Sequence, residues 1–88
     1  MSWTIKISSG EEKYYKTLDK KLRKRIKENI LSLSQYDNPL NHPQVKPLTA
    51  DLRGFHRLRV GDYRIIFSLI EKKRIIAVVN IFPQGKAY

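Results

Sequence analysis

Leu52-Arg53-Gly54-Phe55-His56-Arg57-Leu58-Arg59-Val60-Gly61-Asp62-Tyr63-Arg64-Ile65-Ile66-Phe67 is the stretch whose reading decides the fold. Two runs alternate apolar and polar residues and are joined by Gly61-Asp62, which is a strong hairpin signal. With a two-residue turn, Val60 faces Tyr63, Leu58 faces Ile65 and His56 faces Phe67 on one side of the sheet. On the other side Arg59 lies directly opposite Arg64, with Arg57 two residues further along. Like charges directly opposite one another destabilise a sheet. Such a pair implies an external anion, and a phosphate fits because guanidinium groups bind it bidentately.

Working outward towards the N-terminus, Trp3-Thr4-Ile5-Lys6-Ile7-Ser8 alternates with period two and predicts an amphipathic strand that buries Trp3, Ile5 and Ile7. Ser9 and Glu12 resemble a capping box after it. From Glu11 to Gln35 the period becomes helical, with Tyr14, Leu18, Leu22, Ile26, Ile30 and Leu33 spaced by three or four. One unbroken helix of that length would measure roughly 38 Å, against a radius of gyration of about 12 Å for a compact domain of this size. The expectation is a helical hairpin, broken near Leu18-Asp19, with Asp19 capping the second helix. Eight basic residues fall on it: Lys13, Lys16, Lys20, Lys21, Arg23, Lys24, Arg25 and Lys27. They are either a solvated face or a surface that tracks a nucleic-acid backbone.

Between the helices and the hairpin, Tyr36 to Gln44 is dense in Asn and Pro and reads as a loop, with His42 a loop histidine without an acidic neighbour. Lys46-Pro47-Leu48 follows as a short extended piece. Beyond Phe67 the strand continues through Ser68-Leu69-Ile70 to a charged turn at Glu71-Lys72-Lys73. Arg74 to Phe82 is apolar on both faces, as expected of a central strand covered on both sides. A three-residue turn would set Asn80 beside Arg64 on the anion-facing side, and a two-residue turn would point it into the core. The first is expected because it buries no amide. Pro83 to Tyr88 ends the chain as a loop or short tail.

Composition bounds the function. The 88 residues are 41% apolar, room for one domain spanning residues 1–88 with a modest core. A formal charge of +10 points to a polyanionic partner. Without cysteine there is no disulfide, thiolate zinc site or cysteine nucleophile, which fits a reducing cytoplasm, and two histidines are too few for a metal site. The longest apolar run, Ile75 to Phe82, is interrupted by Asn80 and is far short of a membrane span. No signal-peptide pattern opens the chain. The fold class expected is α+β: an N-terminal strand, a helical hairpin, then a three-stranded antiparallel meander completing a four-stranded sheet.

Leu52-Arg53-Gly54, Arg57-Leu58-Arg59-Val60-Gly61-Asp62-Tyr63-Arg64-Ile65-Ile66-Phe67 and the terminal Pro83-x-Gly85-x-x-Tyr88 resemble the RelE/ParE superfamily of toxins from prokaryotic toxin–antitoxin pairs. The resemblance covers almost the whole chain in element order, and the central stretch is its specific part. It implies a ribosome-dependent ribonuclease that enters the A site and cuts messenger RNA, together with an acidic antitoxin that neutralises it in a hetero-oligomer. The 2′-hydroxyl attacks the adjacent phosphate and the 5′-oxygen leaves, with no metal and no cofactor. Such chemistry needs a base, an acid and positive charge on the pentacoordinate phosphate.

Residue by residue, the resemblance matches Arg57 and Arg59 to the paired basic positions before the turn, Arg64 to the arginine after it and Tyr88 to the C-terminal tyrosine. Arg64 is expected to hold the scissile phosphate and Arg59 to share that load. Tyr88 would stack on a base or help proton transfer. Arg53, Lys46, Gln84, Lys20 and Lys24 complete the expected RNA-contacting set. His56 is attractive as a base by residue type, but the alternation places it with Leu58 and Val60. One departure stands out: many relatives carry an arginine in the segment where this chain has Pro83-Gln84-Gly85, and Lys86 is the nearest substitute. Two other functions remain open, a ParE-like inhibitor of DNA gyrase without nuclease activity and a non-toxic basic nucleic-acid-binding module.

Overall fold

A computed structural model describes residues 2–48 and 54–83 of the chain. The order is β1 (Thr4–Ile7), α1 (Ser9–Thr17), α2 (Lys20–Gln35), a 3₁₀ turn (Pro39–Asn41), β2 (Val45–Pro47), β3 (His56–Val60), β4 (Tyr63–Ile70), a second 3₁₀ turn (Glu71–Lys73) and β5 (Ile75–Pro83). The five strands form one mixed sheet in the order β1-β5-β4-β3-β2. Only β1 runs parallel to its neighbour, β5, as a strand returned through a helical crossover does.

Two helices replace one because Asp19 ends the first and starts the second. Its Oδ1 accepts the Leu22 N–H at 2.8 Å, which satisfies a backbone donor at the helix start. The molecule measures 33 × 30 × 25 Å, so an unbroken helix over both segments would have overrun it. At the start of α1 the cap is Ser8, one residue before the Ser9 expected. The Ser8 hydroxyl donates to Glu11 Oε1 at 3.0 Å, and the carbonyl accepts from the Glu12 N–H.

Ile26, Ile30 and Leu33 of α2 pack on Leu58, Val60, Ile65, Phe67, Ile76, Val78 and Ile81 from one face of the sheet. Phe67 is fully buried there, and truncating it to alanine would cost about 3–5 kcal/mol. Trp3 closes one end of this core. Its Nε1 donates to the Asp37 carbonyl at 3.0 Å, and the Arg74 guanidinium lies 4.7 Å from the centre of its ring. Tyr14 ties α1 towards the start of β4: burial first, and then its hydrogen bond with Tyr63, push the phenol up from its ordinary pKa.

Three expectations need correction. The sheet has five strands rather than four, because Val45–Pro47 adds to β3 as an edge strand, where a proline without an N–H is tolerated. β5 is central but not covered on both faces, since the helices lie on one side only and Val79 is 41% exposed. Finally, Asn80 does reach the anion-facing side, but by another route. Ile70 pairs with Ile75, a register that by itself would set Asn80 opposite Ile65 and into the core. A bulge between Ile66 and Phe67 leaves Val79 out of the ladder and turns Asn80 outward, opposite Ile66.

Candidate functional site

The β3–β4 hairpin closes at Gly61, whose φ of +55° belongs to the region glycine enters freely. A positive φ at the first central residue alone is the pattern of a type II′ turn, which matches the twist of the flanking strands. An added Cβ would stand 2.8 Å from Arg25 Nη2, the movable end of an exposed side chain of α2, so it is the positive φ that asks for glycine here. The turn therefore holds the register: Val60 pairs with Tyr63, Arg59 with Arg64, Leu58 with Ile65, Arg57 with Ile66 and His56 with Phe67. The arginine pair inferred from the sequence is present.

With Leu58, Val60, Ile65 and Phe67 turned to the helices, the intervening residues occupy the open face. One row crosses it as Lys46, Arg57, Ile66 and Asn80, and the next as Arg59, Arg64 and Phe82. Ile66 lies on this face too but is only 3% exposed, so neighbouring groups cover it. Arg59 is exposed, while Arg57 and Arg64 are half-buried and the Arg57 Nε is shielded from solvent without a hydrogen-bond partner. Among the described residues the ion pairs are Lys16 with Glu12 and Arg74 with Asp37. None of Lys46, Arg57, Arg59 and Arg64 has a carboxylate partner there. Four uncompensated cations on one sheet face form an electrostatic seat for a polyanion.

Other expected residues fall elsewhere. Lys20 and Lys24 are exposed on α2, across the sheet from the arginines, so the structure does not bring them to this face. That is a matter of layers: a helix that packs its apolar stripe on one sheet face cannot offer its opposite stripe to the other face. His56 is on the core side, its ring 5.6 Å from that of Phe67, and burial pulls its pKa below the ordinary histidine value. His42 is in the loop, as expected, yet buried. Its Nδ1 accepts the Gln44 N–H at 3.0 Å and its ring packs on Tyr36. Arg53, Gln84, Lys86 and Tyr88 lie outside the described residues.

Sequence reasoning missed Phe82, which the bulge brings opposite Arg64. No sequence signal marks it, because β5 is apolar at nearly every position from 75 to 82 and only the burial of Ile76, Val78 and Ile81 reveals the extra residue. Among the described residues no three His, Asp or Glu side chains cluster so as to hold a metal ion, and no helix is long and apolar enough to cross a membrane.

Comparison with known proteins adds to this geometry. The family model described as ParE toxin of type II toxin–antitoxin system, parDE, matches residues 5–88. The Toxin RelE of Mycobacterium tuberculosis is 33% identical over 51 residues, which are 56% of this chain and 53% of that protein. The chain thus spans about half the length of the curated relative it matches. Among solved structures, the archaeal RelE–RelB complex from Pyrococcus horikoshii superposes with a TM-score of 0.80 at 28% identity, covering 99% of this chain and 100% of that one. The toxin–antitoxin complex RelBE2 from Mycobacterium tuberculosis gives a TM-score of 0.82 at 18% identity, over 98% of this chain and 95% of that one, a likeness of fold alone.

Proposed function

The chain belongs to the ParE toxin family of type II toxin–antitoxin systems, and on that premise we propose that it is a ribosome-dependent endonuclease that cuts messenger RNA in the A site. The observation that carries this reading is Arg59 directly opposite Arg64, with no carboxylate partner for either among the described residues. In the reaction, a base removes the proton of the 2′-hydroxyl and its oxygen attacks the adjacent phosphorus. The bond to the 5′-oxygen breaks and that oxygen takes up a proton, leaving a 2′,3′-cyclic phosphate and a 5′-hydroxyl. Arg64 holds the scissile phosphate, and Arg59 shares the charge that builds on the pentacoordinate phosphorus. Arg57 and Lys46 hold the strand on either side. Tyr88 and Lys86 are the proton-transfer groups of this proposal, and Gln84 and Arg53 contact the strand.

A second reading is inhibition of DNA gyrase without nuclease activity. It is favoured by the family model itself, which describes a ParE toxin, and by Gln84 at a place where many RelE-like chains have arginine. An acidic antitoxin suits either reading, since the chain carries +10 and the Pyrococcus relative was solved bound to RelB.

The deciding experiment uses programmed ribosomes with wild type, Arg59→Ala, Arg64→Ala and Gln84→Arg. Wild type is expected to cut in the A site, Arg64→Ala to lose about 100- to 1000-fold in rate, and Gln84→Arg to gain. No cleavage by wild type, beside a positive-control relative that cuts, together with loss of supercoiling activity at stoichiometric protein, would establish the gyrase reading instead.

A further inference from the structure

The register of β5 contains a device that the chemistry above does not use. From the Glu71–Lys73 turn, an unbulged strand would carry Asn80 into the core opposite Ile65, and β5 would then offer no polar group on the open face beside Arg64. The bulge at Val79 reverses this: Asn80 is half-exposed on the open face, opposite Ile66 and diagonal to Arg64. Bulges next to functional sites commonly re-aim a side chain in this way. Asparagine is otherwise poorly suited to a strand interior, and among the described residues no hydrogen bond reaches its amide.

Resting on the reading of the open face as an RNA site, we propose that Asn80 is a specificity-determining residue that reads the base attached beside the phosphate held by Arg59 and Arg64. Diagonal neighbours in a sheet stand about 7–8 Å apart, a separation comparable to the reach from a phosphate to the edge of its own base. An amide presents one donor beside one acceptor. Adenine matches it on both edges, with N6–H beside N7 on one and beside N1 on the other, and single-stranded RNA leaves both edges open. Adenine is the base that asparagine typically holds bidentately, and it is the base this proposal places here.

The test measures binding, by fluorescence anisotropy, of wild type, Asn80→Ala, Asn80→Gln and Arg64→Ala to labelled eight-nucleotide DNA homopolymers of adenine, cytosine and thymine. These lack the 2′-hydroxyl, so binding is read without cleavage. Wild type is expected to favour the adenine polymer by about 10-fold. Asn80→Ala should erase that preference without weakening the thymine polymer, Asn80→Gln should restore part of it, and Arg64→Ala should weaken all three alike. A preference that survives Asn80→Ala, a wild type that shows none, or a wild type that binds no polymer overturns the subsite. If Asn80 governs the preference but programmed ribosomes are not cut, the nuclease reading falls and the subsite stands. The reverse result separates the two in the other direction.

Discussion

At the scale of single residues, Arg59 and Arg64 set function against stability. Directly opposed like charges cost a sheet about 0.2–1 kcal/mol, and the pair has no carboxylate among the described residues to offset it. Arg59→Thr is therefore expected to raise stability in urea unfolding by about 0.2–1 kcal/mol, with a gain that shrinks as salt is added. The same change should lower ribosome-dependent cleavage. Equal or reduced stability in low salt would show that the guanidinium groups already avoid one another. His42 makes a different prediction. Its buried ring accepts the Gln44 N–H at Nδ1, and burial sets its pKa below the ordinary 6.5. As pH falls through that value the unfolded chain takes up the proton before the folded one, so the stability present above it is lost progressively below it. His56 has the same direction. Unfolding followed from about pH 8 to about pH 5 should show stability declining in the acid range, with a shallower decline in His42→Gln. An unchanged slope in that variant would remove His42 from the account.

At the scale of elements, the hairpin was legible because its signal is local. Two alternating runs around a glycine fix which residues face each other over a few residues of chain, and the observed pairs of β3 and β4 are those expected. The Asp19 cap was legible for the same reason. β2 was legible only as a short extended piece at 46–48, because three residues that include Pro47 carry no period and the neighbouring edge of β3 makes them a strand. The route by which Asn80 turns outward was hidden too. Turn length alone predicts the parity of β5 from sequence, whereas the bulge sets it. This yields a prediction. Deleting Val79 removes the extra residue and leaves Asn80, Ile81 and Phe82 on their present faces, so the variant should fold with native circular dichroism. Deleting Ala77 shifts Ile76 against the rest of the strand, puts core residues on the open face, and should prevent folding. If both deletions behaved alike, the bulge would not be what orients this strand.

At the scale of the whole molecule, the charge of +10 is divided between two layers. One part is the open sheet face with Lys46, Arg57, Arg59 and Arg64, and the other is the outer surface of the helices with Lys20 and Lys24. Binding of a short single strand should weaken with salt, and each open-face cation changed to alanine should reduce the logarithmic salt slope by about 0.7. Lys20→Ala with Lys24→Ala should leave that slope in place. If the helix pair governed it instead, the strand would be bound on the other layer. The sequence by itself determined the helical hairpin, the β3–β4 register, the family, and the opposition of Arg59 and Arg64, all of which rest on periodicity, capping and turn chemistry that act over a few residues. Only the tertiary structure decided that Lys20 and Lys24 stand apart from Lys46 and the arginines, that a bulge turns Asn80 outward, and that Phe82 stands opposite Arg64. Those placements depend on which strand edges meet and on one bulge within a ladder. Pairing between distant segments is set by the packing of the whole core, and no local pattern encodes it.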